Sequence, residues 1–189
     1  MKTLAVSLSL GALLVAGCAD PNQPYKVVSE PEKIEWSRDN LDVYPDDVRQ
    51  NPDQYNDTTV AWAGIVKSTD AREFGDGYIR LTTTFEHHYF DWEQNNNFCG
   101  PTYDLSPRGE GLFKANWIAR KSDLDADWTT AEAYAGPGKL AIVYGNPIGV
   151  DTNGVIQLRY RYLRIIDTKR YSTYEFDYGR LGQPVTYLR

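Results

Sequence analysis

The alternation of apolar and polar side chains between Tyr78 and Phe90 constrains the fold of this chain more than any other feature. Apolar, aromatic or small side chains recur at every second position, namely Ile79, Leu81, Thr83, Phe85, His87 and Tyr89. The positions between them are polar enough to meet water, and successive side chains of a strand point to opposite faces. The segment is therefore predicted to be a β-strand with one face in a core.

Four other segments have the same period and are predicted to be strands: Thr58–Ser68, Leu112–Arg120, Lys139–Asn146 and Val155–Ile166. We expect large inward side chains to fill the space between the strands, among them Trp62, Phe85, Trp117 and Tyr144. A capping box at Thr129 and Glu132, followed by Gly136 and Pro137, predicts a short helix at 128–137. Five strands with one helix between the third and fourth indicate a mainly β fold, a small OB-like five-stranded antiparallel barrel. A small sandwich or an open meander fits the same pattern.

The amino terminus indicates where the protein is located. Lys2 precedes an apolar run from Leu4 to Val15, and Ala16 and Gly17 lead into Cys18. The run is too short to span a bilayer and has the layout of a cleaved secretory signal. It resembles the lipobox of bacterial lipoproteins, which implies cleavage before Cys18 and acylation of that residue. Because Ala19 rather than aspartate follows, the resemblance implies the outer membrane, with the protein facing the periplasm.

Composition divides the remaining chain into segments. We expect a signal peptide at 1–17, a lipidated cysteine with a Pro-rich tether at 18–40, the barrel at 41–166 and an aromatic, basic segment at 167–189. Aspartates that suit a helix amino end predict a short helix at Pro45–Gln50. Cys99 is the second of two cysteines and is expected to be buried.

Several segments resemble the Slp-type (starvation-inducible) outer-membrane lipoproteins. They are Asn51–Tyr55 leading into Val60–Val66, Gly111–Ala115, Lys139–Gly145 and Tyr160–Leu163. The insertion at 91–107 and the C-terminal segment depart from that family's pattern. The resemblance implies location and fold, and it brings no catalytic residues.

The residues Glu86, His88, Asp91 and Glu93 are the alternative candidate site, for a small ligand, a metal or a wall-acting enzyme. Neighbouring strand residues face opposite ways, so His87 and His88 are not expected to share a metal, and His88 is expected to be solvated. No spaced His or Cys pair is present, so no metal or cofactor is predicted. Asp123–Asp127 alternates carboxylates but lacks the glycine of a calcium loop. The net charge of −6 and the export signal argue against nucleic acid as a partner.

The C-terminal residues 157–189 differ in charge from the rest, with seven basic and three acidic side chains. Aromatic side chains beside arginines are typical of interface centres. We therefore predict a partner-binding surface at Arg159, Arg161, Tyr171, Tyr174 and Tyr178. Alternatively, these aromatics close the barrel and cover its edge. The expected function is a non-enzymatic accessory binding subunit of an envelope assembly, anchored in outer-membrane lipid through Cys18, which contacts an envelope protein or self-associates.

Overall fold

The computed structural model describes residues 25–93, 103–123, 135–166 and 171–173. Two short α-helices, α1 (Glu30–Trp36) and α2 (Pro45–Gln50), precede the sheet, and single 3₁₀ turns occur at Pro52–Tyr55 and Lys121–Asp123. The strands are β1 (Val60–Glu73), β2 (Tyr78–His87), β3 (Tyr103–Leu105), β4 (Leu112–Arg120), β5 (Leu140–Val150), β6 (Ile156–Ile166) and β7 (Tyr171–Thr173). Within these ranges, no helix is both long and apolar enough to cross a bilayer.

Five strands close into a barrel in the order β1-β2-β4-β6-β5, with β5 returning to β1. This confirms the predicted mainly β, OB-like architecture. Four of the five seams are antiparallel, but β4 and β6 run parallel, with Phe113 opposite Ile156. The all-antiparallel expectation was wrong for a topological reason. A closed ring with an odd number of strands cannot alternate direction at every seam.

The barrel interior is filled by aromatic side chains. Trp62, Phe85 and Trp117 point inward as predicted, and Phe113 lies between the first two. The Phe113 ring stacks on Phe85 at 5.0 Å and meets Trp62 edge-on at 5.3 Å. A Cβ atom at Gly64 would lie 2.9 Å from Phe113, so this glycine makes room for the ring. The packing leaves little space for a ligand inside the barrel.

Strand β5 is buried on both faces, which corrects the prediction for Tyr144. Val143 is paired with Trp62 and shares its inward face, whereas Tyr144 points to the outside of the barrel. A bulge in β6 opposite Tyr144 and Gly145 likewise interrupts the alternation, so Leu158 and Tyr160 point inward whereas Tyr162 points to the outside. The outer face of β5 is apolar because a second layer covers it.

That second layer is formed by the N-terminal segment, the residues that follow β2 and a small parallel sheet of β3 and β7. Its core members are Tyr25, Phe90, Trp92, Tyr103 and Leu105, which pack against Leu140, Ile142 and Tyr144. Part of the predicted tether at 18–40 is packed in the second layer, because Tyr25 is 5% exposed and α1 packs on β6. Tyr25 follows Cys18 by seven positions in the sequence, so the chain between their Cα atoms spans at most about 25 Å.

Other predicted elements have mixed outcomes. The helix at Pro45–Gln50 is confirmed, and β4 has the predicted bounds. The helix predicted at 128–137 falls mainly outside the described residues, as do Cys99 and all but the first residue of Asp123–Asp127. Part of the insertion, Tyr103–Leu105, forms β3.

Candidate functional site

Of the predicted partner-binding residues, the structure describes Arg159, Arg161 and Tyr171, and the last two make contacts within the chain. Cys18, Tyr174 and Tyr178 lie outside the described residues. Arg161 donates from Nε to Glu35 Oε2 on α1 at 2.5 Å, and the Tyr171 hydroxyl donates to the Gly138 carbonyl. These two side chains hold the second layer against the barrel, as the alternative interpretation proposed for the aromatics. Arg159 is exposed on the outside of the barrel, where it is paired with Asn116 of β4 and Asn146 of β5.

The alternative site at Glu86–Glu93 does not converge on a pocket. Glu86 lies on the outside of β2, where Lys67 Nζ donates to it at 2.8 Å. This hydrogen bond holds the pKa of the Glu86 carboxyl below its usual range. Asp91 is buried and accepts from the backbone N–H of Glu93, as in a local turn. Among the described residues, no three His, Cys, Asp or Glu side chains are placed to hold a metal ion.

The expectation that His88 is solvated was wrong. Its side chain is buried, and Nδ1 lies 2.6 Å from the Ser106 carbonyl oxygen. The loop before β4 covers this part of the chain and approaches it closely at Gly109, where a Cβ would lie 1.6 Å from the His87 carbonyl oxygen. His87 is buried, as expected, and its Nδ1 accepts from the Glu110 backbone N–H at 3.1 Å. Both imidazoles are therefore held in packed surroundings.

A buried ionic cluster joins the N-terminal segment to β6. Glu32 has no exposed surface; it accepts from the Tyr25 hydroxyl, and from the Val28 N–H at 2.8 Å. Arg164 Nη1 lies 3.7 Å from its carboxylate, and Arg164 also donates to the hydroxyls of Tyr25 and Tyr103 at 2.8 and 2.5 Å. Burial opposes the charge of Arg164, but these hydroxyls and the carboxylate outweigh it and raise the pKa of the guanidinium. Glu32 is closed to solvent and the Arg164 side chain is 11% exposed, and the contacts between them fasten the N-terminal segment to β6.

An open groove of ≈ 770 Å³ lies beside Asp39, between the end of α1 and the start of β1. Burial raises the pKa of the Asp39 carboxyl to about 7, and its Oδ2 has no hydrogen-bond partner among the described residues. The groove is lined by Trp36, Arg38, Asp39, Asn40, Leu41, Asp42, Asp57, Thr58 and Thr59. Its chemistry is acidic, but no geometry there defines a ligand.

The outward side chains of the second half of β1 (68–73), of β2, of β4 and of the first half of β6 form a continuous surface that no other described element covers, here called the four-strand face. The register aligns Asp70 with Thr82, Thr82 with Asn116, and Asn116 with Arg159 across the four strands. A depression of ≈ 450 Å³ lies in it, lined by Asp70, Arg72, Arg80, Thr82 and Asn116. The Thr82 hydroxyl donates to Asn116 Oδ1 at 2.6 Å, which orients that amide.

The four-strand face is locally basic. Within the described part of the chain, Arg72, Arg80 and Arg159 have no carboxylate oxygen within 4.0 Å. The Arg80 guanidinium lies 4.2 Å from the centroid of the Phe74 ring, so a cation–π contact holds it. Exposed apolar side chains flank the basic groups at one end: Phe74, Tyr78 and Ile118.

Sequence reasoning identified Arg159 but missed Arg72 and Arg80. The polar, outward positions of β2 could have pointed to this surface, but they were interpreted only as a side that faces water. Comparison with protein-family models, with curated proteins and with solved structures finds no match to this chain.

Proposed function

We propose that this protein is an outer-membrane-anchored, periplasm-facing lipoprotein. It acts as an accessory binding subunit of a cell-envelope assembly, with the four-strand face as its contact surface. The carrying observation is the presence on that face of Arg72, Arg80 and Arg159, none with a carboxylate partner in the described structure, in a chain of net charge −6. Charges of this kind orient and accelerate association with a partner of opposite sign.

The fold supports binding on the outside of the barrel. The aromatic packing around Phe113 occupies the interior, so a ligand has to bind on the surface. OB-type barrels in general bind their ligands on the outer face of the second and third barrel strands, which correspond here to β2 and β4. This is an analogy at the level of fold.

The membrane anchor in this proposal depends on the lipobox resemblance at Cys18. Several acyl chains on one residue hold a protein stably on a bilayer, whereas a single chain binds marginally. Mass spectrometry of the mature amino-terminal peptide tests the anchor directly. We expect Cys18 to be the first residue and to carry acyl chains, and an unmodified Cys18 contradicts the anchor.

Site-specific photocrosslinking in cells tests the contact surface. A photoreactive phenylalanine analogue at Asn116 lies at the centre of the four-strand face, and the matched control is the same analogue at exposed Gln54. We expect a discrete envelope adduct from position 116 and none from position 54. Equal patterns from the two positions, or no adduct from position 116, would contradict the assignment of this face.

A further inference from the structure

We propose that the depression in the four-strand face binds a sugar unit that carries a carboxylate or a phosphate, as part of an anionic envelope polysaccharide. This inference rests on the proposed function, because it names the partner class of that same face. The depression has the size of a small-ligand site, which ranges from about 300 to 1,000 Å³. Its five side chains project from three adjacent strands of the barrel, so the rigid sheet fixes their relative positions.

Two like charges lie side by side in the depression. Arg72 of β1 is directly opposite Arg80 of β2 in the antiparallel register. Side chains at such positions have Cβ atoms about 4.5–5.5 Å apart, and like charges there are destabilising. An oxyanion between the two guanidinium groups converts this repulsion into two charge-assisted contacts. The planar guanidinium fork matches carboxylate and phosphate oxygens in a bidentate manner.

The other polar groups of the depression are suited to bind hydroxyl groups. The Asp70 carboxylate offers acceptor oxygens, and the Asn116 amide, with its oxygen engaged by Thr82, offers N–H donors. A bare inorganic anion has no use for a carboxylate in its site, since the two repel each other. A sugar presents an oxyanion to the arginines and hydroxyls to Asp70 and Asn116, so it satisfies both parts of the depression.

An acidic protein partner fits the depression less well than a sugar does. The centres of protein interfaces are depleted in charged groups and enriched in aromatic ones. Here charged and polar side chains line the centre, and the apolar groups Phe74, Tyr78 and Ile118 lie at one end. The arrangement therefore favours a hydroxyl-rich ligand over a folded protein surface.

Calorimetric titration of the full-length protein, purified in a neutral detergent, tests the inference. The probes are a galacturonic acid trisaccharide, its methyl-esterified neutral form, glucose 6-phosphate and glucose. We expect the charged member of at least one pair to bind at least tenfold more tightly than its neutral counterpart. The uronate arm and the phosphate arm distinguish the two sources of the oxyanion.

Substitutions in the depression test whether the charged sugar binds there. Arg72→Ala and Arg80→Ala are each expected to weaken binding of the charged sugar at least tenfold, whereas Arg108→Ala, which removes an exposed arginine outside this face, leaves it unchanged. Asp70→Asn is expected to weaken binding of the charged sugar and to strengthen binding of inorganic phosphate, because it removes a hydroxyl acceptor and a repulsive charge together. All four positions are exposed, so the variants are expected to fold, as circular dichroism checks.

Three results would overturn the inference: equal affinity for charged and neutral sugars, equal losses in Arg72→Ala and Arg108→Ala, and tighter binding of hexaglutamate than of every charged sugar. The last result would reassign the face to an acidic protein segment. If the crosslink at position 116 captures an envelope protein while no sugar binds, the inference fails and the proposed function stands. If position 116 also yields no adduct, both fail.

Discussion

The Glu32→Ala substitution gives the sharpest test of how the N-terminal segment is fastened to the barrel. It removes a fully buried carboxylate that accepts from a hydroxyl and a backbone N–H, and that lies 3.7 Å from Arg164. The Arg164 side chain is 11% exposed, so it cannot turn to bulk water when its counter-charge is lost. Removing one partner of a buried ion pair costs about 3–5 kcal/mol of folding free energy.

The same region provides a matched control on the same helix. Glu30 is also a helix α1 carboxylate, but its side chain is 83% exposed and lies 3.8 Å from Lys33, which is exposed as well. Exposed ion pairs contribute about 0–1 kcal/mol, so Glu30→Ala is expected to change stability by less than about 0.5 kcal/mol. The comparison separates burial of the charge from any effect of alanine on helix propensity.

Urea denaturation followed by tryptophan fluorescence measures both variants. Trp36 and Trp92 lie beside Tyr25, with ring centroids 5.4 and 5.3 Å from it, so their emission reports on this layer. If Glu32→Ala does not fold, Glu32→Gln keeps the shape and is expected to cost about 2–3 kcal/mol. Combined with Arg164→Met, Glu32→Gln is expected to show a coupling energy of at least about 1.5 kcal/mol. Equal stability losses for Glu32→Ala and Glu30→Ala, or zero coupling, would refute the fastening role.

Three further predictions follow from single contacts. Burial raises the Asp39 pKa to about 7, so ionisation disfavours the folded state increasingly as pH rises from about 4 to 7. Asp39→Asn is therefore expected to raise the free energy of unfolding by about 1–2 kcal/mol at pH 8, after allowance for partial exposure, and to change it little at pH 4. Urea denaturation at both pH values measures this difference. Gly109→Ala places a Cβ 1.6 Å from the His87 carbonyl oxygen, so a loss above about 2 kcal/mol is expected in thermal unfolding, and a wild-type midpoint would contradict the close approach. Trp62→Phe leaves the buried Val43 carbonyl without its indole donor at 2.8 Å, which is expected to cost about 1–3 kcal/mol in the same assay, and an unchanged midpoint would show that this hydrogen bond contributes nothing.

The strands that were predicted most accurately from the sequence are those with one solvent-exposed face. In β4, apolar Phe113, Ala115 and Trp117 alternate with exposed or half-exposed positions, and the predicted and observed bounds coincide. The inward face of β2 was likewise predicted from Ile79 to His87. In such strands the alternation predicts which face points inward, because the other face is exposed to water and carries polar side chains.

The inward face of strand β5 could not be predicted from alternation. When both faces of a strand are buried, apolar side chains occupy both, and the sequence alone does not say which face is the inner one. Tyr144, which shares its face with Leu140 and Ile142, was predicted to point inward, yet the narrow barrel accepts the smaller Ala141 and Val143. Which face of β5 points inward depends on the second layer, and that layer is formed by segments that are distant in the sequence. By contrast, the parallel seam followed from strand parity and was predictable.

The candidate site was predictable only in part for a similar reason. Arg159 was singled out because it belongs to a basic stretch of sequence, whereas Arg72 and Arg80 come from segments without any local excess of positive charge. Their significance arises from register, which places one opposite the other across a strand pair. Likewise, Glu32 and Arg164 are 132 positions apart, and nothing local to either predicts that they meet.

The distribution of covered and uncovered surface links the anchor to the proposed binding face. The second layer, which includes Tyr25, covers the outside of β5. In the ring order β1-β2-β4-β6-β5, the pair β2 and β4 lies across the barrel from β5. In the proposed anchored protein, acylated Cys18 is at most about 25 Å of chain from Tyr25, which keeps the covered side nearer to the bilayer than the four-strand face. We therefore expect the centre of the four-strand face to be accessible from the proposed periplasmic side.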